Sequence, residues 1–150
     1  MAKKNGAIIG YGGMGGWHVN KLQTMENPEI AGLWDIRECQ RAKALSKGLH
    51  VYESLEALLA DETVDLVLIA TPNHLHFPLA MAALEHGKHV ICEKPATLTA
   101  GEFQQLMDAA RERKLLLKGG MQGGKFNIAT INHPNQGSTY PGRCIQLLSE

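Results

Sequence analysis

Five glycines occupy seven consecutive positions near the start of the chain, at residues 10–16. They follow the short apolar run "AII", and the residues after them have the pattern of a helix. Glycine within a regular element costs up to about 1 kcal/mol relative to alanine, so such a cluster indicates that another group comes close to the backbone. The segment therefore predicts a strand, a tight turn and a helix, with a close approach at the turn.

The chain up to residue 118 alternates between strand and helix patterns that are joined by short connections. Strands are predicted at residues 6–10, 30–35, 50–52, 64–70, 88–93 and 114–118, and helices at residues 14–25, 37–48, 55–60, 77–87 and 103–113. The run "VDLVLIA" is typical of a strand that is buried on both faces. The alternation predicts an α/β protein with a doubly wound, parallel sheet of six strands, helices on both faces and right-handed crossovers.

Several helix boundaries carry their own signals. Asn27-Pro28 is predicted to stop the first helix, and Ser54 is predicted to cap the short helix at residues 55–60. Thr99 and Glu102 have the spacing of a capping box before the last helix. After residue 118 the glycine and asparagine content rises and no period persists, so we expect a domain at residues 1–118 and an irregular or poorly ordered tail at residues 119–150.

Gly10, Gly12 and Gly15 form the pattern GxGxxG, and its context favours a dinucleotide-binding turn over a merely tight one. The pattern follows a strand, opens a helix, and precedes Asp35, which ends the next strand twenty residues after Gly15. The first glycine would permit the bend, the second would let a pyrophosphate approach the backbone, and the third would let the helix pack on the strand. Free N–H groups and the helix dipole would hold the phosphates. The sequence thus predicts a Rossmann-type fold.

Asp35 also bears on the choice between NAD and NADP. Its carboxylate would accept hydrogen bonds from the adenosine ribose hydroxyls and would repel a 2′-phosphate, which favours NAD. Arg37 lies two residues later and would weaken that preference if it paired with the phosphate, although an exposed arginine at a helix start is the simpler interpretation. We expect NAD as the cofactor, with NADP as the alternative.

The composition argues against nucleic-acid and membrane partners. Fifteen basic residues balance fifteen acidic ones, whereas nucleic-acid-binding proteins usually carry a basic excess. No segment approaches the about 18 apolar residues of a spanning helix, and the apolar run after "MAKKNG" is too short for a signal peptide. Three cysteines without a CxxC pair indicate a reduced, cytoplasmic protein. Seven histidines include an HxH at residues 74–76, but no second cluster has ligand spacing, so no metal is predicted.

Motifs in the second half of the chain are more specific than the glycine turn. They are "ATPN" at residues 70–73 followed by His76, then "GKHV" at residues 87–90, then "EKP" at residues 93–95. Together with "GYGGMGGWH" they resemble the Gfo/Idh/MocA family of NAD(P)-dependent oxidoreductases, typified by glucose–fructose oxidoreductase and inositol dehydrogenase. The resemblance runs from about Gly6 to about Leu117 and corresponds to the N-terminal, NAD(P)-binding Rossmann domain of that family.

The resemblance implies roles for residues at the strand ends. Thr71, Pro72 and Asn73 would line the cofactor cleft, at the edge where such sheets bind ligands. His76 would lie just beyond them, either contacting the ligand or bonded to backbone. His18 matches a histidine that is often found on the first helix of the family.

The Glu93-Lys94-Pro95 segment is the family's signature, and it supplies the predicted catalytic residue. Glu93 would border the nicotinamide ribose, and Lys94 would reach the reacting centre, where an ammonium group stabilises negative charge at the substrate oxygen. Pro95 would fix the turn that aims Lys94, and the bond between these two residues is a candidate for the cis form. The candidate cofactor-binding residues are Gly10, Gly12, Gly13, Met14, Gly15, Asp35, Ile36, Arg37, Thr71, Pro72, Asn73, His76, Glu93, Lys94 and Pro95.

Members of the family continue into a larger second α/β domain, which supplies most of the substrate pocket, the usual acid/base residues and commonly the oligomer contact. Nothing that resembles this domain follows residue 118. Three explanations stay open: a truncated or isolated domain, a tail translated out of frame after about Gly119, or a naturally short protein. We therefore expect a chain that binds NAD(P) but does not by itself turn over the sugar or polyol substrates of the family.

Two other classes of function compete with an oxidoreductase domain. A non-catalytic module that binds a dinucleotide would need the same glycine turn and the same acidic residue. A methyltransferase that uses S-adenosylmethionine would also have a glycine-rich turn and an acid at a strand end. The segments "ATPNHLH" and "EKP" argue against the methyltransferase, and the binding module stays open as the alternative.

Overall fold

The computed structural model describes residues 5–24, 30–120 and 126–129. Its strands are β1 (Gly6–Ile9), β2 (Ile30–Trp34), β3 (Leu66–Ile69), β4 (His89–Cys92), β5 (Leu117–Gly120) and β6 (Phe126–Ala129). Its helices are α1 (Gly13–Gln23), α2 (Glu38–Ser46), α3 (Leu55–Ala60), α4 (His76–Glu85) and α5 (Ala100–Glu112), with a 3₁₀ turn at Asn73–Leu75. Among the described residues, no helix has the length and apolar character needed to cross a membrane.

One sheet organises these elements, with the strand order β2-β1-β3-β4-β5-β6. The first five strands of that order pair in parallel, and β6 runs antiparallel to β5. Because β1 lies between β2 and β3, the connection through α1 leads to a strand on one side of β1. The next connection, through α2 and α3, leads to a strand on the other side. The loops after β1 and β3 therefore diverge at the carboxyl ends of the strands, where open α/β sheets bind ligands.

Alternate residues of the central strands pack into separate cores on the two faces of the sheet. Val67 and Ile69 of β3 belong to a core with α4 and α5, whereas Leu66 and Leu68 belong to a core with α1 and α2. All four side chains are buried. Burying a side chain of this size stabilises the fold by about 1.5–3 kcal/mol, which explains why the strand has no polar face. This is the doubly wound arrangement that the sequence predicts.

Side-chain hydrogen bonds support the predicted starts of two helices, and the backbone conformation of a glycine supports the predicted end of a third. The Ser54 side chain accepts a hydrogen bond from the Ala57 N–H at 3.0 Å, and the Thr99 side chain accepts one from the Glu102 N–H at 3.2 Å. Gly87 follows α4 with a φ of +75°, a left-handed conformation that favours glycine at a helix end. Local capping chemistry therefore sets these boundaries as expected.

The α/β class is confirmed, but the count of six parallel strands is wrong. Residues 50–52 form no strand, and Val51 makes only an isolated bridge to Leu33. Two backbone hydrogen bonds join this segment to Leu33, one from the Leu33 N–H to His50 and one from the Tyr52 N–H to Leu33. The chain then turns into the cap of α3, so the pairing cannot continue into a ladder. The parallel part of the sheet accordingly has five strands.

The antiparallel strand β6 lies in the segment for which the sequence indicates an irregular tail. It pairs with β5 over four residue pairs. An open strand edge presents unpaired N–H and C=O groups, and these can organise a segment whose own sequence has little periodicity. Residues 1–4, 25–29, 121–125 and 130–150 lie outside the described residues, and with them the predicted helix stop at Asn27-Pro28, Cys144 and the remainder of the predicted tail.

Candidate functional site

The turn after β1 depends on two glycines whose α-carbons have no room for a side chain. Gly10 has a φ of +98°, and a Cβ there would lie 2.5 Å from the carbonyl oxygen of Ala70. A Cβ on Gly15 would lie 1.9 Å from the carbonyl oxygen of Gly10. Side-chain carbons do not approach backbone atoms so closely. Gly10 therefore permits the bend, and Gly15 lets α1 pack directly on the end of β1.

The two glycines between them face open space instead. A Cβ on Gly13 would meet nothing within 4 Å, and a Cβ on Gly12 would meet only Nη2 of Arg37, at 3.3 Å. Gly12 is also the N-cap of α1, where it offers no side-chain acceptor to the N–H groups of the first turn. Packing within the described chain does not explain glycine at position 12. A helix N-terminus with an open backbone fits an anionic group such as a pyrophosphate.

Asp35 follows β2, and its carboxylate ties the glycine turn to that strand. It is buried, with 4% of its surface exposed. Oδ2 accepts a hydrogen bond from the Tyr11 N–H at 2.8 Å, and Oδ1 accepts one from the Arg37 N–H at 2.8 Å. Burial raises the pKa of Asp35, but these N–H groups and the Arg37 guanidinium together outweigh it, so the pKa lies below its usual value. The carboxylate is therefore ionised at neutral pH.

The guanidinium of Arg37 covers the same carboxylate. Its Nε lies 3.3 Å from Oδ1 of Asp35 and its Nη2 lies 3.4 Å from Oδ2. A carboxylate has about four lone-pair sites, and the two backbone and two guanidinium contacts use them. A further donor, such as a ribose hydroxyl, can therefore bond to Asp35 only if Arg37 moves away and breaks these two longer contacts. The Arg37 side chain is half-exposed, so there is space for it to move.

A cleft of about 340 Å³ opens between the ends of β2 and β3. Asp35, Arg37 and Thr71 supply polar groups at its walls, and the other walls are mainly apolar. This volume and this lining are typical of small-molecule sites. The structure brings to the cleft six residues that the sequence predicts, Gly10, Asp35, Ile36, Arg37, Thr71 and Pro72, and five that it does not, Trp34, Leu55, Ala70, Leu75 and Leu79. Asn73 is exposed and begins the 3₁₀ turn, outside this lining.

His76 lies beside the cleft and is bonded to backbone. Its Nε2 lies 2.8 Å from the carbonyl oxygen of Thr71, and its Nδ1 lies 2.6 Å from the carbonyl oxygen of Pro95. Only 1% of the residue is exposed. Of the two roles considered for His76, this geometry favours the one in which it holds backbone. The Lys94–Pro95 peptide bond is cis.

Glu93 is joined to α1 through His18. Nε2 of His18 is hydrogen-bonded to Oε1 of Glu93, and the histidine is almost completely buried. The hydrogen bond from His18 lowers the pKa of Glu93, burial opposes it, and the net direction is downward. Nδ1 of His18 is buried and has no hydrogen-bond partner among the described residues. The contact links the helix that follows the glycine turn to the predicted catalytic segment.

Lys94 lies just past the end of β4, and its side chain is exposed. Among the described residues no hydrogen bond or ion pair holds its ammonium group. Cys92, two residues earlier, points into the apolar core, and burial followed by the charge of Glu93 raises the pKa of its thiol to about 12. Within the described part of the chain, no three His, Cys, Asp or Glu side chains form a group that could hold a metal ion.

The cleft residues that the sequence does not predict carry no specific signal of a binding site. Leu75 and Leu79 stand four residues apart, which is also the spacing of a core-facing helix stripe, so the pattern alone assigns them to the interior. Leu55 opens α3 and carries no motif. The link between His18 and Glu93 joins residues 75 positions apart, and no local pattern could reveal it.

Comparison with known proteins bears on this site. The model of the Gfo/Idh/MocA family, an oxidoreductase family with an NAD-binding Rossmann fold, matches residues 4–121. The scyllo-inositol 2-dehydrogenase (NADP(+)) of Bacillus subtilis is 35% identical over 111 residues, which are 73% of this chain and 31% of that protein. The D-xylose 1-dehydrogenase (NADP(+)) of Hypocrea jecorina is 47% identical over 107 residues, which are 61% and 27%.

A solved structure shows the same fold. The crystal structure of an NAD-binding protein from Listeria innocua has a TM-score of 0.75 and 46% sequence identity, and the match covers 82% of this chain and 36% of that one. The chain thus spans about a third of the length of the proteins that it matches. The glycine turn, the cleft and the "EKP" segment all lie within the matched residues. The chain belongs to the Gfo/Idh/MocA family of oxidoreductases and contains its NAD-binding Rossmann domain.

Proposed function

We propose that this chain is the cofactor-binding domain of an oxidoreductase that moves a hydride between a nicotinamide cofactor and a carbinol carbon of a sugar, polyol or related hydroxyl compound. The observation that carries the proposal is the open backbone at Gly12 and Gly13, at a helix N-terminus beside a cleft of about 340 Å³. The substrate class is supported by the relatives named as scyllo-inositol and D-xylose dehydrogenases.

Each part of the site has a separate task in this proposal. The N–H groups in the first turn of α1 hold the pyrophosphate, because the glycines leave them accessible. The apolar walls that include Leu55, Leu75 and Leu79 receive the adenine ring. Asp35 accepts from the ribose hydroxyls once Arg37 has shifted away. The bound nicotinamide itself supplies the hydride acceptor or donor.

The segment after β4 serves the reacting end. Lys94 places an ammonium group near the substrate oxygen, and the charge stabilises negative charge that develops there. Its exposure leaves it able to meet a substrate from outside the domain. Glu93, which His18 holds against α1, keeps the start of this segment in place.

We expect the chain on its own to bind NAD without turning over a polyol. Positioning the reacting carbon against the nicotinamide is worth about 7–11 kcal/mol of barrier, and general acid–base help is worth about a hundred- to ten-thousand-fold in rate. Among the described residues, no hydrogen bond or ion pair joins the Lys94 ammonium group to a second side chain. NADH absorbance should therefore stay flat when the NAD-saturated chain meets inositols, aldoses and sugar acids. Turnover at ordinary dehydrogenase rates, lost in Lys94→Ala, would contradict this.

The proposed site should prefer NADH to NADPH, because the ionised Asp35 repels a 2′-phosphate. Calorimetric titration should show NADH binding about tenfold or more tightly, as expected for a like-charge contact near the surface. Arg37→Ala should widen the gap, since it removes the cation that neutralises Asp35, whereas Asp35→Ser should narrow or reverse it. Arg37→Ala is the cleaner variant because it keeps the backbone partners of Asp35. Equal or tighter binding of NADPH by the unmodified chain would refute the preference.

A further inference from the structure

His76 joins two loops that the strand ladder does not join. The last backbone hydrogen bond between β3 and the end of β4 runs from the Glu93 N–H to the carbonyl oxygen of Ile69, at 3.0 Å. Beyond that point the loops continue to Thr71 on one side and to Pro95 on the other, and the His76 ring contacts both carbonyl groups. The ring is buried between them. One side chain therefore bridges the two edges of the proposed cofactor site.

The chemistry of the two contacts specifies the protonation of the ring. A carbonyl oxygen only accepts hydrogen bonds, so each contact requires an N–H on the histidine. A neutral imidazole has one N–H, and its other nitrogen would turn a lone pair towards an oxygen less than 3 Å away. An imidazolium has two N–H groups and satisfies both carbonyls.

A buried cation needs compensation, and a carboxylate lies nearby to provide it. The hydrogen bond from His18 is the largest cause that lowers the pKa of Glu93, and the charge of His76 acts in the same direction. Glu93 is ionised at neutral pH, because the net shift of its pKa is downward. Together with the two carbonyl oxygens, it gives the imidazolium a set of partners suited to a positive charge.

We propose that His76 is a positioning residue whose doubly protonated ring donates to both Thr71 and Pro95 and so holds the cofactor cleft in its binding form. The effect of His76 on NAD(H) binding rests on the proposed function, whereas the protonation of its ring is a property of the ligand-free chain. A ring that donates once would leave one loop unattached. The chain would then occupy the binding arrangement only part of the time, and the apparent affinity would fall by that fraction.

The first experiment examines the ring directly. Long-range ¹H–¹⁵N NMR of the ligand-free chain at neutral pH should show both nitrogens of His76 protonated, the signals being assigned by their loss in His76→Gln. A neutral ring with one bare nitrogen would overturn the proposal. The measurement uses the unmodified chain, so it gives an answer even where a substitution prevents folding.

The second experiment measures the consequence for binding. His76→Gln places an amide oxygen against one of the carbonyls, so we expect NADH to bind about tenfold more weakly while circular dichroism shows a folded domain. The pKa of Glu93, followed by ¹³C NMR, should rise because a positive charge has been removed. His86→Gln is the matched control, since His86 is exposed and bonds to one carbonyl, that of Ala82.

The outcomes separate this proposal from the proposed function. Unchanged NADH affinity in folded His76→Gln would show that His76 does not position the cleft. An unchanged pKa of Glu93 in that variant would show that the His76 ring carries no positive charge. If the unmodified chain bound no NADH at all, the proposed function would fail. The ring protonation and the Glu93 titration would still decide whether His76 is the doubly donating bridge.

Discussion

Gly15→Ala should destabilise the domain by about 3 kcal/mol or more, the upper end of what overpacking usually costs. The added Cβ would lie 1.9 Å from the carbonyl oxygen of Gly10, so backbone rather than a flexible side chain must move. Moving α1 away would disturb Val19 and Leu22, which pack in the core on that face of the sheet. Urea unfolding followed by far-UV circular dichroism measures the loss.

The matched control for this effect is Gly13→Ala, two residues earlier in the same helix. A Cβ on Gly13 would meet nothing within 4 Å, and alanine is favoured over glycine within a helix by up to about 1 kcal/mol. Its stability should therefore equal or slightly exceed that of the unmodified chain. A Gly15→Ala chain that unfolds at the same urea concentration as Gly13→Ala would show that α1 can shift at little cost.

The fold could be predicted where local patterns and buried strands agree. Residues 66–69 are apolar on both faces because alternate side chains enter different cores, so the pattern alone indicates a central parallel strand. Residues 50–52 show where such reasoning stops. Val51 and Tyr52 are residue types that favour strands, but whether this short stretch forms a ladder depends on the path of the chain that follows it. The strand β6 likewise depends on the edge of β5 and not on its own sequence.

The candidate site, like the fold, has parts that could be predicted from the sequence and parts that could not. The glycine spacing, Asp35 and the residues after β3 are adjacent in sequence to strand ends, so topology alone brings them to one edge of the sheet. The interactions among them could not be predicted, because they join distant positions. Tyr11 donates its N–H to Asp35, 24 residues along the chain, and His18 is hydrogen-bonded to Glu93, 75 residues along the chain. A motif gives the types of residue at a site, whereas their partners depend on distances that only the folded chain defines.

Gly12→Val should lower the affinity for NADH by about a hundredfold or more, to below what calorimetry detects, and leave the domain folded. Gly12 has a φ of −80° and a ψ of −154°, an extended conformation that a β-branched residue can adopt. The new Cβ would meet only the end of the flexible Arg37 side chain, at 3.3 Å. The loss of a good N-cap typically costs about 1 kcal/mol. The stability of the domain should therefore change little.

Binding should respond differently, because the valine methyl groups would stand over the N–H groups in the first turn of α1. A pyrophosphate could then neither approach the backbone nor accept those hydrogen bonds, and a hundredfold loss corresponds to about 2.7 kcal/mol. Gly16→Val is the matched control, since a Cβ there meets nothing within 4 Å and lies one turn further along the helix. Calorimetry with NADH should show nearly normal affinity for Gly16→Val and none for Gly12→Val. If folded Gly12→Val bound NADH as tightly as the unmodified chain, the glycine turn would be a structural bend and the phosphates would have to bind elsewhere.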